Sequence, residues 1–222
     1  MSNIFPKSYK SKLSIKDTQE AIVLIKDNFE SKLSKVLGLT RVSAPVFVDP
    51  LTGLNDNLSG KEPAVTFETQ NGQKLEIVQS LAKWKRYALK RYQMPGLYTD
   101  MNAIRKNEEL DNIHSIYVDQ WDWEKVINKE ERNISVLMKI VKQIYTCLLE
   151  TEKLVNSKYK CLTNKLPSEI TFITAEELLH KYPRLSAKER EARRNFCTRF
   201  LPCRSLFCCL VRFLCVYRIH CL

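Results

Sequence analysis

The stretch HSIYVDQWDWE, residues 114–124, decides how this chain is read. It has the β-branched and aromatic residues of a strand, whose successive side chains point to opposite faces. His114, Ile116, Val118, Gln120 and Asp122 then share one face, and Ser115, Tyr117, Asp119, Trp121 and Trp123 share the other. The first face begins apolar and ends in an amide and a carboxylate. Buried polar groups must be paired. The face therefore either closes on its own partners or opens into a pocket.

The neighbouring segments supply more polar groups for the same face. GLYTDMNAIR, residues 96–105, reads as a second strand, joined to the first across KNEELDN, residues 106–112. Its face of Leu97, Thr99, Met101 and Ala103 ends at Arg105. Upstream, SLAKWKRYALKRY, residues 80–92, is helical, with Leu81, Trp84, Lys85 and Ala88 on one stripe. Asp56, in the loop LNDNLSG, is a further candidate and serves equally well as a turn residue. Mutual pairing of these groups, including Lys85, satisfies them as a plain core does. Their coincidence on one face points instead to a pocket.

Each candidate has a chemistry. Arg105, beside a hairpin loop, can grip a phosphate bidentately. Gln120 can read an amide or a carboxylate, and Asp122 and Asp56 can hold an ammonium. Such a set binds an amino acid next to a nucleotide. The chain has no Gly-rich phosphate loop, no Ser-His-Asp order and no metal-ligand cluster. His114 reads as a packed or loop-edge residue, and Trp121 and Trp123 as packing.

The rest of the chain frames this unit. Residues 15–37 form a helix with an apolar stripe of Ile22, Ile25, Phe29, Leu33 and Val36, capped by Ser14 and ended by Gly38. Residues 40–49 are extended and interrupted by Pro45, as an edge strand is. Residues 50–63 are a loop, and residues 64–78 a hairpin around Asn71-Gly72. A long helix over 132–156 buries Ile134, Leu137, Val141, Ile144 and Leu148. EITFIT, residues 169–174, reads as a short strand. Thr174 and Glu177 then make a capping box for a helix over 175–181, and another short helix follows Ser186. The expected fold is α+β, a mainly antiparallel sheet with helices on it and one core.

Composition narrows the class. With 222 residues, 44% hydrophobic and 27% charged, the chain is an ordinary globular protein rather than a disordered one. The net charge of +11 admits nucleic acid, an anionic membrane or a phosphate-bearing substrate as partner. No block of consecutive basic residues reads as a nucleic-acid arm, and no apolar run reads as a secretory leader or a membrane span. Six of the eight cysteines fall in 195–222, so the body shows the cysteine usage of a reducing compartment, the cytoplasm.

That C-terminal stretch, rich in Cys, Phe, Leu and Arg and without Asp or Glu, breaks from the body. Three readings compete: a metal site, for which the cysteine spacing fits no common zinc pattern; a membrane segment, which Arg204, Arg212 and Arg218 oppose; and sequence never selected as protein.

DNLSGKE, SLAKWKR, GLYTDMNAIR and especially HSIYVDQWDWE closely resemble the ammonia-dependent, type A asparagine synthetases, the aspartate–ammonia ligases. The resemblance covers residues 8–194 and includes TFITAEELLHKYPRLSAKEREAR. It implies the catalytic fold of class II aminoacyl-tRNA synthetases, an antiparallel sheet flanked by helices, usually dimeric. The implied reaction joins L-aspartate and ammonia using ATP with Mg²⁺, through a β-aspartyl adenylate, giving L-asparagine, AMP and pyrophosphate.

By matching position, Arg105 becomes the α-phosphate clamp and Gln120 a contact of the reacting end. Asp56 and Asp122 become substrate- or ammonia-binding carboxylates, and Ser80 and Lys85 substrate contacts. The implied domains are 8–194, the N-terminal part of the catalytic domain, and 195–222, an aberrant tail. The family's later acidic residues and Gly-rich arginine segment have no match in 195–222, so the chain as written is expected to be poorly stable and inactive. Two rivals remain: an aminoacyl-tRNA synthetase relative, and a non-catalytic fragment that pairs with a longer partner.

Overall fold

The computed structural model describes residues 9–55, 63–108, 110, 115–187 and 189–190, with Gln120 described by its backbone alone. The quoted stretch is a strand, and its register fixes the middle of the fold. β5 (Gly96–Ile104) and β6 (Tyr117–Lys125) pair antiparallel, with Thr99 opposite Asp122 and Met101 opposite Gln120. The Arg105 N–H donates to the Ile116 carbonyl at 2.6 Å, so the ladder runs one pair further.

β1 (Thr40–Arg41) adds to the other side of β5, giving the order β1-β5-β6. β1 runs parallel to β5, the one parallel pair among the described strands of the expected mainly antiparallel fold. The cause is α1 (Ile15–Leu37), which turns back through Gly38 (φ 67°) and delivers β1 in the direction of β5. Gly96 makes that approach possible: a Cβ there would sit 2.8 Å from the Leu39 Cδ2 methyl.

A second sheet, ordered β2-β4-β3, comprises β2 (Phe47–Val48), β3 (Thr66–Glu68) and β4 (Lys74–Ile77), all antiparallel. The expected hairpin is β3–β4. Its turn is wider than a two-residue type I′ turn. The Gly72 N–H donates to the Thr69 carbonyl at 2.9 Å, and the Thr69 N–H to the Gln73 carbonyl at 3.0 Å. Gly72 alone takes positive φ there (79°), which is the three-residue loop with its left-handed residue last.

The single expected core is two clusters, one on each side of β5–β6. Alternation along β5 is the reason. Tyr98 joins the cluster of α1 and α3 (Ile134–Lys158), where the Phe29 and Trp121 rings lie 4.9 Å apart. Leu97, Met101 and Ala103 join the other cluster, with Leu81, Trp84 and Ala88 around α2 (Ala82–Tyr92).

Ser14 caps α1 as expected, its Oγ accepting the Asp17 N–H at 3.0 Å. The buried stripe is Ala21, Ile25, Phe29, Leu33 and Leu37, a strict four-residue repeat. The expected Val36 stays 39% exposed. On α3, Ile144 and Leu148 are buried, whereas Ile134 and Leu137 are 72% and 39% exposed.

Residues 169–174 form no strand. Ile170 packs on the α1–α3 cluster while Phe172 remains exposed, so the face that alternation implies is not covered along its length. α4 (Ala175–Lys181) has the expected capping box: Thr174 Oγ1 accepts the Glu177 N–H at 3.0 Å, and the Glu177 carboxylate accepts the Thr174 N–H at 2.6 Å. Ser186 and Glu189 repeat the device at the next helical turn. The expectations for Asp56, for His114 and for the 195–222 tail lie outside the described residues.

Candidate active site

α2 and β6 build the site between them. Leu81, Trp84 and Ala88 seat α2 on the sheet, and the same stripe aims Lys85 at β6. Lys85 is 1% exposed and Asp122 5%, and the ammonium contacts the Asp122 carboxylate directly. Lys85 Nζ also donates to the Trp123 carbonyl at 2.9 Å and lies 3.3 Å from a Glu124 oxygen. Opposite Asp122 in the ladder, Thr99 is fully buried.

Arg105 lies on the same face by parity, six residues beyond Thr99, and is half-buried. At the rise of a strand, that separates it from Asp122 by about 20 Å of backbone. Gln120 pairs with Met101, between the two. Ser80 is half-buried just ahead of α2, and its Oγ accepts the Ala82 N–H at 3.4 Å. The structure thus brings Lys85 and Asp122 into contact and spaces Arg105 along the same face. Asp56 follows directly on the last described residue of its loop.

Three residues that sequence reasoning passed over belong to this region. Asn55 is 7% exposed and its Nδ2 donates to the Ile77 carbonyl and to a Glu76 oxygen, both at 3.1 Å. Its Oδ1 accepts the Gln79 N–H at 2.9 Å, and Gln79 Nε2 donates to the Pro63 carbonyl at 3.3 Å. Both described ends of the loop that carries Asp56 are therefore tied to the segment leading into Ser80. Nothing in the Asn-rich loop marked Asn55 as different from a turn residue. Glu124 is the third. It shares the parity of Asp122, so the alternation that found Asp122 reached it too.

The other side of β5–β6 is polar in a different way. Trp121 Nε1 donates to the Glu30 carboxylate, and burial holds the Glu30 carboxyl above its ordinary value. Arg41 binds Asp100 through Nε at 3.0 Å and Nη2 at 2.6 Å, and this hydrogen-bonded contact raises the guanidinium further. These pairs are partly solvated and close among themselves.

Comparison with known proteins gives the family. The profile described as aspartate-ammonia ligase matches residues 16–200. This chain belongs to the aspartate–ammonia ligase family. The ligase of Fusobacterium nucleatum subsp. nucleatum is 57% identical over 187 residues, 83% of this chain and 57% of that protein. The ligase of Lactobacillus johnsonii is 55% identical over 196 residues, 86% of this chain and 58% of that protein. The chain thus spans a little over half the length of the curated aspartate–ammonia ligases it matches.

Among solved structures, asparaginyl-tRNA synthetase from Pyrococcus horikoshii, complexed with asparaginyl-adenylate, superposes with a TM-score of 0.50 at 14% identity. The overlap covers 65% of this chain and 31% of that one. The likeness is one of fold, and agrees with the α+β class II catalytic architecture. No helix among the described residues is long and apolar enough to cross a membrane.

Proposed function

We propose that this chain carries the aspartate-holding face of an ammonia-dependent synthetase that makes L-asparagine from L-aspartate, ammonia and ATP. One observation carries the reading: a buried cation and a buried carboxylate, Lys85 and Asp122, in contact on the sheet face that ends at Arg105. They offer an anion for an ammonium and a cation for a carboxylate, which are the ends of an amino acid. The strand beyond them leads to a guanidinium suited to phosphate.

On this reading Arg105 clamps the α-phosphate and stabilises charge developing at phosphorus. The aspartate β-carboxylate attacks that phosphorus and pyrophosphate departs. Ammonia then attacks the acyl carbon and AMP departs. Asp122 and Asp56 hold ammonium or ammonia, while Ser80, Lys85 and Gln120 position the substrate. Mg²⁺ would travel with the ATP. Among the described residues no group of three His, Cys, Asp or Glu side chains is placed to hold a metal. A homodimer working in the cytoplasm, without nucleic acid, completes the proposal.

Equilibrium dialysis with L-aspartate tests it. Saturable binding, unaffected by tRNA, is expected of the purified chain. A protein folded by circular dichroism that binds no L-aspartate overturns the reading. Transfer of an amino acid to tRNA favours the aminoacyl-tRNA synthetase alternative, to which the fold and the +11 charge are also suited.

A further inference from the structure

Among the described residues the Lys85 ammonium has at least three oxygens around it: Asp122, the Trp123 carbonyl at 2.9 Å and Glu124 at 3.3 Å. An ammonium has three donors. If Lys85 is to meet a substrate carboxylate, as the proposed function requires, one of these contacts has to give way. The Trp123 carbonyl is fixed in β6. The Asp122 carboxylate is in direct contact and is the more buried, its side chain 8% exposed. Glu124 makes the longest contact and has the more exposed carboxylate, at 15%.

Glu124 also has somewhere to go. Its second oxygen lies 3.9 Å from Nε of Arg86, the residue after Lys85 on α2. That Nε is buried and, among the described residues, has no hydrogen-bond partner. A buried donor without a partner is destabilising, so an acceptor that comes within reach is favoured. A shift of about 1 Å brings the Glu124 oxygen from 3.9 Å into hydrogen-bond range. We propose that Glu124 is a positioning residue that exchanges cations: it holds Lys85 in the empty site and moves to Arg86 when a substrate carboxylate takes its place on Lys85.

The exchange keeps every charge paired. Lys85 trades one carboxylate for another, and Arg86 Nε gains a hydrogen bond. Arg86 thus lowers the cost of freeing Lys85 without touching substrate. The two residues have opposite effects on affinity, a pattern that a purely structural ion pair does not produce.

The test is the Kd for L-aspartate of the full 222-residue chain and of Glu124→Gln, Arg86→Gln and the double variant, with thermal melting of each. Glu124→Gln weakens the competitor for Lys85, so binding tightens by about two- to fivefold, the scale of a partly exposed ion pair. Arg86→Gln removes the alternative partner, so binding weakens by a similar factor. In the double variant the Arg86 effect disappears. Arg86 is 37% exposed, so its variant is expected to fold and its sign alone tests the exchange. Weaker binding in both single variants, or an Arg86 effect that persists without Glu124, overturns the exchange and leaves the aspartate reading intact. A folded wild-type chain that binds no L-aspartate overturns both.

Discussion

Asp122 on β6 and Glu30 on α1 lie on opposite sides of the β5–β6 pair in different surroundings. Asp122 is buried against a cation, so neutralising Lys85 should cost folding more than it costs packing. Lys85→Met takes the cation away from a buried carboxylate and is expected to lower stability by about 3–5 kcal/mol. The expected loss on urea unfolding exceeds that of Lys26→Met, whose partner Asp119 is solvated. Glu30 is held above its ordinary carboxyl value by burial. The folded protein therefore binds that proton more tightly than the unfolded chain, and the ionised form carries a penalty. Stability from this group is present at acid pH and lost as the pH rises through the folded value. Glu30→Gln should melt higher than wild type at neutral pH, and the difference should vanish as the pH falls below the ordinary value of 4.5. An unchanged difference across that range would contradict the assignment.

Elements show how far periodicity carries. The two central strands, their faces and the caps at Ser14 and Thr174 were legible, because alternation and side-chain caps are local physics. Which β5 edge β1 joins, and in which direction, was not, since it depends on how α1 packs. The α1 stripe was legible only to within a rotation of the helix: Ile22 and Val36 are as apolar as the buried Ala21 and Leu37. The stripe on α3 was read too far toward its N-terminus, and 169–174 alternates without becoming a strand.

Two predictions belong at this scale. Glu152 is 3% exposed and accepts the Leu166 N–H at 3.1 Å, stitching the segment after α3 back onto the helix. Glu152→Ala leaves that backbone donor without its acceptor and should cost about 1–3 kcal/mol on urea unfolding. Gly96→Ala forces the Leu39 tip aside and narrows the gap to the Gly38 carbonyl, 3.3 Å from the added Cβ. A loss of about 1–3 kcal/mol is expected, as for overpacking.

At the scale of the molecule, one sheet separates two apolar clusters, and the candidate site lies on the α2 side of that sheet. Parity along HSIYVDQWDWE marks this side, since it puts Asp122 with Val118 rather than with Trp121. It could not separate a pocket floor from a closed core. Lys85 is buried against Asp122 and Glu124, and the second Glu124 oxygen lies 3.9 Å from Arg86 Nε. The most direct measurement is the ¹⁵Nζ resonance of Lys85 in lysine-labelled protein during titration with L-aspartate. If this face holds aspartate, the Lys85 signal, assigned by its loss in Lys85→Met, shifts saturably with the same Kd as binding measured by dialysis. A Lys85 signal that stays still while aspartate binds, or an absence of binding to the folded chain, would contradict it.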